Sequence, residues 1–243
     1  MSVHSTFEGI QFLAQASDIS RECGISLRIG TCFKEYADII STERTHQPVG
    51  RPFDHEFNDF GPTSGFWVVG RNENGVLVHT QAMRLIDLCD QPLSGYLSEK
   101  YIDFPPAGLD LDYEKSRYNP GPSAHRIRGT VCYHGDFWLC SDYRGTGMAN
   151  ILARFALASG HLKWAPDYII GFMIRQVAFK GLAEREGYMH SEPGTLFWHR
   201  ADTDQTLEAF MVWMAREDTS YLLTIPLPDL VRSPTPNMSI AAE

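Results

Sequence analysis

The segment from Arg144 to Ala149, with the sequence RGTGMA, is the part of the chain whose residue types point most clearly to chemistry. A predicted strand ends just before it and a predicted amphipathic helix begins in it. The first turn of a helix has amide N–H groups without internal partners and a partial positive charge, so small residues there expose an anion site. Gly145 and Gly147 would let a ligand approach the backbone, and Arg144 would add a charge-assisted contact or brace the loop. The segment therefore predicts a pyrophosphate site.

This segment resembles the acyl-CoA loop of the GNAT superfamily of N-acyltransferases, which has Gln or Arg, two residues, Gly, one residue, and then Gly or Ala. Arg144, Gly147 and Ala149 match that pattern. The predicted elements follow the family's order over roughly residues 25–199, with residues 88–128 as an insertion. The resemblance implies a GNAT-like fold of the α/β class (an α+β mixed sheet), in which helices flank a central twisted sheet with splayed parallel strands.

A dinucleotide-binding motif is the rival interpretation of the same loop. That motif needs a third glycine where Asn150 stands. A predicted antiparallel hairpin around Asn74-Gly75 also argues against a fold built only of βαβ units. The acyl-CoA interpretation therefore fits the sequence better.

The resemblance also implies where an acyl thioester would bind. Backbone groups at Leu139 and Cys140 would pair with the pantetheine amides as an added strand does, and the side chains of Gln176 and Phe179 would border the thioester arm. The implied co-substrate is acetyl-CoA or another acyl-CoA, without a metal. The pyrophosphate would be bound by the amides of Gly145, Thr146, Gly147, Met148 and Ala149.

The reaction implied is direct attack of an amine on a thioester, which needs a neutral amine and a proton for the leaving thiolate. The family often has a glutamate base eleven residues before the Arg of its loop, and Tyr133 occupies that position. His134 is adjacent, and its unperturbed pKa of about 6.5 suits a base near neutral pH. Asp136 would share a strand face with His134, unless a bulge changes which face points into the site. Both side chains could instead form a purely structural hydrogen-bonded pair.

The residue that would protonate the thiolate is harder to identify. The family's frequent tyrosine, four residues before the glycine that closes the second helix, is Ala183 here. Tyr133, Tyr143 or Tyr188 could replace it. Water could also serve, because a thiol pKa of about 8.5 makes the thiolate a fair leaving group.

Hydrophobic periodicity predicts the elements that position these residues. Two β-rich runs flank Asn74-Gly75, a pair suited to two positive φ angles, so we predict an antiparallel hairpin. Asp202 is predicted to cap a last helix with Leu207 and Met214 on its buried face. Other strands are predicted over 25–29, 129–141, 168–174, 196–199 and 222–225, and other helices over 33–40, 148–162 and 177–186.

The segments that would line an acceptor pocket are the least regular. Residues 46–64 are predicted to form a loop that Phe53, Phe57 and Phe60 anchor on the core. Residues 88–128 contain many prolines and glycines and exceed the length of about a dozen residues usual for a structureless connection. We expect either a lid over the site or a disordered insertion.

Composition limits the classes of function. The 243 residues are 43% hydrophobic and 21% charged, which is the composition of a globular domain. Together with the resemblance, this implies one acyltransferase-like domain over residues 1–225, and the proline-rich end predicts a flexible tail over 226–243. A net charge of −9 argues against nucleic acid and anionic membrane surfaces as partners. Cysteines and histidines lack metal-ligand spacing. No apolar run approaches a membrane span, and the expected location is cytoplasmic.

Three functions remain open at this point. The first is an N-acyltransferase, chiefly an acetyltransferase, acting on a small-molecule or peptide amine, with a homodimer as a possible assembly. The second is a long-chain N-acyl synthase that takes its acyl group from acyl carrier protein or acyl-CoA. Weak similarities to that group lie at Phe57, Asp59, Phe66, Trp67 and Arg84. The third is a non-catalytic acyl-CoA-binding domain, which Tyr133 and Ala183 at the usual catalytic positions favour.

Overall fold

The computed structural model describes residues 3–61 and 63–231, which form an eight-stranded mixed sheet with helices on both faces. The order across the sheet is β1-β2-β3-β5-β6-β8-β7-β4, and only β5 and β6 are parallel neighbours. The strands are β1 (Ser26–Gly30), β2 (Gly65–Arg71), β3 (Leu77–Asp87), β4 (Leu111–Tyr118), β5 (Thr130–Leu139), β6 (Tyr168–Ile174), β7 (His190–Arg200) and β8 (Thr206–Ala215).

Two groups of helices cover the two faces of this sheet. Side chains of α1 and α4 share one core cluster, and side chains of α2 and α3 share another. Helix α1, with Phe12 and Ala16 buried, was not predicted from the sequence. The helices are α1 (Val3–Glu22), α2 (Phe33–Glu43), α3 (Leu93–Lys100), α4 (Met148–Trp164), α5 (Arg175–Ala178), α6 (Leu182–Glu186), α7 (Arg216–Leu222) and α8 (Pro228–Val231).

The parallel strands β5 and β6 separate after a short paired stretch. Their pairing runs from Val131 opposite Tyr168 to Tyr133 opposite Ile170, although β5 continues to Leu139. The prediction of a mixed α/β sheet with splayed parallel strands is therefore confirmed. The gap between the two strands lies beside Tyr133, His134 and Asp136, the residues that the sequence analysis names as candidates for the reaction.

A β-bulge in β5 lies at the edge of this gap. In the ladder with β3, Ala82 pairs with Gly135 and Thr80 pairs with Trp138, so one residue of β3 faces two of β5. Asp136 has a φ of 54°, in the left-handed region. The bulge interrupts the alternation of side chains. As a result, His134 contacts Gln81 and Tyr188, whereas Asp136 contacts residues on the α2 side. The two residues do not share a face, and the bulge that the sequence analysis left open is present.

The predicted hairpin is confirmed, but its turn differs from the expectation. Strands β2 and β3 pair antiparallel, and only Gly75 of the turn has a positive φ, 77°. The Asn72 side-chain oxygen accepts hydrogen bonds from the amides of Asn74 and Val76. That side chain, together with one glycine, closes the turn in place of the two positive φ angles expected.

Three predictions in the C-terminal third are wrong. The helix expected over 177–186 is two short helices, α5 and α6, because Gly181 adopts a φ of 70° between them. The helix expected after Asp202 is strand β8, whose residues are buried on both faces, so its near-continuous apolar run imitates a helical stripe. The strand expected over 222–225 is the end of α7 and a turn.

Residues 88–128 are described throughout and contain regular structure. Helix α3 and strand β4 lie within them, and β4 pairs with β7 at the sheet edge. In the loop over 46–64, Phe53 is buried but Phe57 is 60% exposed, so Phe57 is not an anchor. Of the predicted tail, residues 226–231 include α8, and residues 232–243 lie outside the described residues. Within the described ranges, no helix is long and apolar enough to cross a membrane.

Candidate functional site

The loop between β5 and α4 has the geometry that the RGTGMA segment predicts. Gly145 and Gly147 have φ angles of 79° and 89°, a conformation that glycine adopts without steric cost. The Arg144 guanidinium donates from Nε to the Leu139 carbonyl at 3.0 Å, and the Thr146 hydroxyl donates to the Tyr143 carbonyl at 2.7 Å. These contacts hold the loop in one shape.

The amides of this loop are available to a ligand. Among the described residues, the N–H groups of Gly145, Thr146 and Gly147 have no hydrogen-bond acceptor. They precede α4, whose first turn adds partial positive charge. Three neighbouring donors of this kind form a preorganised anion site.

A cavity of about 770 Å³ lies beside these amides, and we call it the loop cavity. Arg144, Lys180 and Arg185 line it, and none of the described lining residues is Asp or Glu. Three cations without a carboxylate concentrate positive potential at one place in a chain of net charge −9. The cavity therefore favours an anionic ligand.

Helix α8 forms one wall of the loop cavity. Leu230 and Val231 line it, and the Asn150 side-chain amide donates to the Leu230 carbonyl at 3.2 Å. A Cβ atom on Gly147 would lie 2.7 Å from the Leu230 carbonyl oxygen. Gly147 is therefore required both for the loop conformation and for the approach of α8.

The structure places some of the predicted cofactor-binding residues away from this cavity. Gln176 and Phe179 are exposed, and neither lines the loop cavity, whereas Val177 and Lys180 of the same segment do. The Cys140 amide already donates to the Val78 carbonyl. Met148 is buried in the core. Of the predicted set, the cavity is lined by Leu139, Arg144, Gly145, Thr146, Gly147 and Ala149.

A second cavity, of about 540 Å³, occupies the gap between β5 and β6, and we call it the strand-gap cavity. It shares lining residues Gln47, Phe137, Val177 and Leu182 with the loop cavity. A ligand with its anionic end at the loop can therefore reach into the strand gap. His134, Tyr133 and Asp136 all line this second cavity.

The hydrogen bonds of His134 define its tautomer. The Gln81 amide nitrogen donates to the Leu152 carbonyl at 2.6 Å, so the Gln81 amide oxygen faces His134 Nε2 at 3.0 Å and accepts a hydrogen bond from it. Nδ1 must then accept from the Tyr188 hydroxyl at 2.9 Å. Burial lowers the pKa of His134 to about 4, which keeps the ring neutral. Neither nitrogen is free to take a proton from a substrate, and the hydroxyl hydrogen of Tyr188 is engaged by His134.

Asp136 is fully engaged inside the protein. Its carboxylate accepts from Arg44 Nη2 at 3.0 Å and from the Tyr36 hydroxyl at 2.6 Å. The Arg44 and Asp136 side chains are 0% and 1% exposed. The pair fastens the bulge of β5 to α2, and this geometry gives Asp136 a structural role.

We expect Arg44→Met to lower the free energy of unfolding by about 3–5 kcal/mol, because Asp136 would remain buried without its cation. Urea unfolding followed by circular dichroism measures the change. Arg71→Met is the matched control, since its ion pair with Glu43 is partly exposed and should contribute less than about 1 kcal/mol. Equal losses in the two variants would contradict the structural role of the buried pair.

Tyr133 lies on the opposite side of β5 from His134. Its ring packs against Phe53 and Phe104 at centroid distances of 5.5 and 4.8 Å. The structure records no hydrogen-bond partner for its hydroxyl among the described residues, and burial raises the pKa of that hydroxyl. Tyr133 therefore keeps its proton and has a free donor at the cavity.

Glu186 is the site residue that the sequence did not reveal. It ends α6 and is only 2% exposed, it lines the strand-gap cavity, and no hydrogen-bond partner is recorded for its carboxyl group in the described chain. Burial raises its pKa to about 8, against the opposing effects of Arg185 and Arg154. In the sequence it resembles the exposed Glu184, so only the packing distinguishes the two. A carboxyl group with this pKa exchanges a proton near neutral pH.

Several solved structures are similar to this chain. NAA60 of Arabidopsis thaliana, solved with a bisubstrate analogue, is 12% identical over 79% of this chain and 97% of its own, with a TM-score of 0.47. The spermidine/spermine N-acetyltransferase SpeG of Vibrio cholerae is 9% identical over 82% and 98%, with a TM-score of 0.44. FeeM, an N-acyl amino acid synthase from uncultured soil microbes, is 13% identical over 79% and 91%, with a TM-score of 0.43.

Comparisons of sequence alone find no counterpart. The chain matches no family model, and no curated protein is similar to it in sequence.

Proposed function

We propose that this chain is an acyl-CoA-dependent N-acyltransferase of the GNAT type, which transfers an acyl group, chiefly acetyl, from a CoA thioester to an amine. One observation carries the proposal: the free amides of residues 145–147 open onto a cation-lined cavity that continues into the gap between β5 and β6. A diphosphate at the amides and a thioester in the gap would use both ends of this continuous space. A cytoplasmic location and a homodimer remain predictions.

The anionic part of CoA fits the loop cavity by charge and by hydrogen bonding. The pyrophosphate would accept from the amides of Gly145, Thr146 and Gly147, and Lys180 and Arg185 would lie near the phosphates. The pantetheine arm would follow β5 past Leu139 towards the strand gap, where that strand no longer pairs with β6. The thioester would then lie at the cavity that Glu186 and Tyr133 line.

The reaction proposed needs a base for the amine and an acid for the thiolate. Glu186 takes a proton from the attacking amine as the N–C bond forms, and Tyr133 gives its hydroxyl proton to sulfur as the C–S bond breaks. Solvent then restores both groups to their starting protonation states. We assign the base to Glu186 in place of His134 and Asp136, because its carboxyl group is the one without an internal partner.

Titration calorimetry with CoA and a thiol-release assay with acetyl-CoA test the proposal. We expect CoA to bind at micromolar concentration and free thiol to appear only when an acceptor amine is present. Binding without turnover on any amine would favour a non-catalytic acyl-CoA-binding domain. Turnover only with long-chain donors or an acyl carrier protein would favour the long-chain synthase. Absence of CoA binding would overturn both the proposed function and the non-catalytic acyl-CoA-binding domain, and would leave only a synthase that depends on acyl carrier protein.

We expect Tyr133→Phe to lower kcat by about 10-fold to 100-fold, at or below the low end of the contribution usual for general acid catalysis, because a thiolate leaves without much assistance. A thiol-release assay at saturating concentrations of both substrates measures the change. The control is Tyr143→Phe, since Tyr143 lines neither the loop cavity nor the strand-gap cavity. A kcat equal to that of the wild type would remove Tyr133 from the mechanism.

A further inference from the structure

Resting on the proposed function, we propose that the acceptor is a small primary amine on an aromatic or branched apolar group, with no second charged group. The lining of the strand-gap cavity carries this inference. It combines an apolar wall, no unpaired charged side chain apart from Glu186, and oxygen atoms to which the described residues make no hydrogen bond. Each of these features excludes a different kind of acceptor.

Aromatic rings form the wall of the cavity. Phe104 contacts Tyr133 and Phe172 at centroid distances of 4.8 and 5.9 Å, and Phe53 and Trp198 also line the cavity. A surface of this kind contributes affinity by burying apolar area and by offset or edge-on ring contacts. It favours an aromatic or branched aliphatic body for the acceptor.

Apart from Glu186, the described lining of this cavity holds no unpaired Asp, Glu, Lys or Arg side chain. No Lys or Arg lines it, and of its two histidines His134 is neutral and His46 is solvent-exposed, so a buried acceptor carboxylate would have no cation to pair with. Of its two carboxyl groups, Asp136 is neutralised by Arg44, which leaves Glu186 for the reacting amine alone. A second ammonium or a carboxylate on the acceptor would be buried unpaired, at a high cost in free energy. Polyamines and free amino acids are therefore poor acceptors.

The polar atoms of the cavity favour an amine over the tail of a long acyl chain. Glu186 and the Tyr133 hydroxyl have no recorded partner in the described residues, and a hydrocarbon chain would leave them without one. The nitrogen of an amine can form hydrogen bonds with both groups. The Tyr188 hydroxyl donates a hydrogen bond to His134, so its oxygen is left to accept one from an N–H of the amine.

The size of the cavity indicates a small molecule. Its volume of about 540 Å³ is within the range of about 300–1,000 Å³ usual for small-ligand pockets. The segment from Phe104 to Leu109, which belongs to residues 88–128, closes one side. This part of the chain would thus set the acceptor specificity.

An amine panel at constant acetyl-CoA tests the inference. It contains phenethylamine, isoamylamine, spermidine, glycine and a peptide with a free N-terminus, with products identified by mass spectrometry. We expect kcat/KM for phenethylamine and isoamylamine to exceed the values for spermidine and glycine by at least 100-fold. The peptide is expected to react as poorly as glycine.

A pair of variants connects this preference to the aromatic wall. Phe104→Leu is expected to raise KM for phenethylamine about 10-fold, with a smaller change for isoamylamine and an unchanged dissociation constant for CoA. Phe57→Leu is the control, because Phe57 is exposed and does not line the cavity. If Phe104→Leu does not fold, Phe172→Leu gives the same test on the facing strand.

The outcomes separate this inference from the proposed function. Equal or faster turnover of spermidine, glycine or the peptide would overturn the acceptor class and leave the acyltransferase intact. Turnover of phenethylamine that Phe104→Leu and Phe172→Leu leave unchanged would also overturn it. Failure of every amine, with CoA binding preserved, would instead refute the transferase activity. A preference only for long-chain donors would place an acyl tail in the cavity and contradict the inference.

Discussion

Glu186→Gln is expected to lower kcat by about 10²-fold to 10⁴-fold, the usual contribution of a general base. The amide keeps the shape of the side chain but cannot accept the proton of the attacking amine. In the wild type, kcat should rise with pH and level off above about 8, because burial raises the pKa of Glu186 to about 8 and only the ionised form is a base. The variant should lose this inflection. Rates at saturating amine and acetyl-CoA across pH 6–10 measure both effects.

The control for Glu186→Gln is Glu184→Gln on the same helix, where the side chain is exposed. It should keep the wild-type rate and pH profile. A Glu186→Gln enzyme with an unchanged inflection near pH 8 would show that another group is the base.

The same pKa shift predicts how stability depends on pH. The Glu186 carboxyl group has a pKa of about 8 in the folded chain, against a usual value of 4.5. Between these values the folded state keeps a proton that the unfolded state releases, so the free energy of unfolding falls as pH rises through this window. Glu186→Gln should make that fall smaller. Urea unfolding at pH 5 and pH 8 measures it, and equal slopes in wild type and variant would contradict the buried, protonated state.

Gly145→Asp is expected to weaken CoA binding by about 5-fold to several hundred-fold. Two unit charges about 4 Å apart near a protein surface repel by about 1–4 kcal/mol, and 1.4 kcal/mol corresponds to about a tenfold change in affinity. A side chain at Gly145 meets no atom within 4 Å, so the protein itself does not clash with it. Titration calorimetry with CoA measures the loss.

Gly145→Asn is the matched control, because asparagine and aspartate have nearly the same shape and both tolerate a positive φ. It should weaken binding only a few-fold. If both variants weaken binding equally, the effect is steric and the amides of this loop do not hold an anion.

The sequence was sufficient to predict the features that depend on local rules. The Asn74-Gly75 hairpin, strand β5 and the glycine loop before α4 follow from turn chemistry, periodicity and helix-end electrostatics. Strand β8 was mistaken for a helix because burial on both faces erases the alternation that identifies a strand. The break between α5 and α6 at Gly181 was also missed, because apolar residues continue at helical spacing on both sides of that glycine.

The candidate site was less accessible to prediction because its chemistry depends on packing. His134 has the residue type of a base, but Gln81 and Tyr188, far away in sequence, occupy its two nitrogens. Asp136 is buried against Arg44 because a bulge turns it away from His134. Glu186 becomes a candidate base only because α6 buries it beside the strand gap. None of these long-range contacts leaves a pattern in one sequence.

Amide NMR spectra of the isotopically labelled chain during titration with CoA test the central claim most directly. We predict that the largest shifts occur at the amides of Gly145, Thr146 and Gly147, and that pantetheine, which lacks the phosphates, leaves these three signals in place. CoA that binds without moving them, or that moves only amides remote from the loop cavity, would contradict the account.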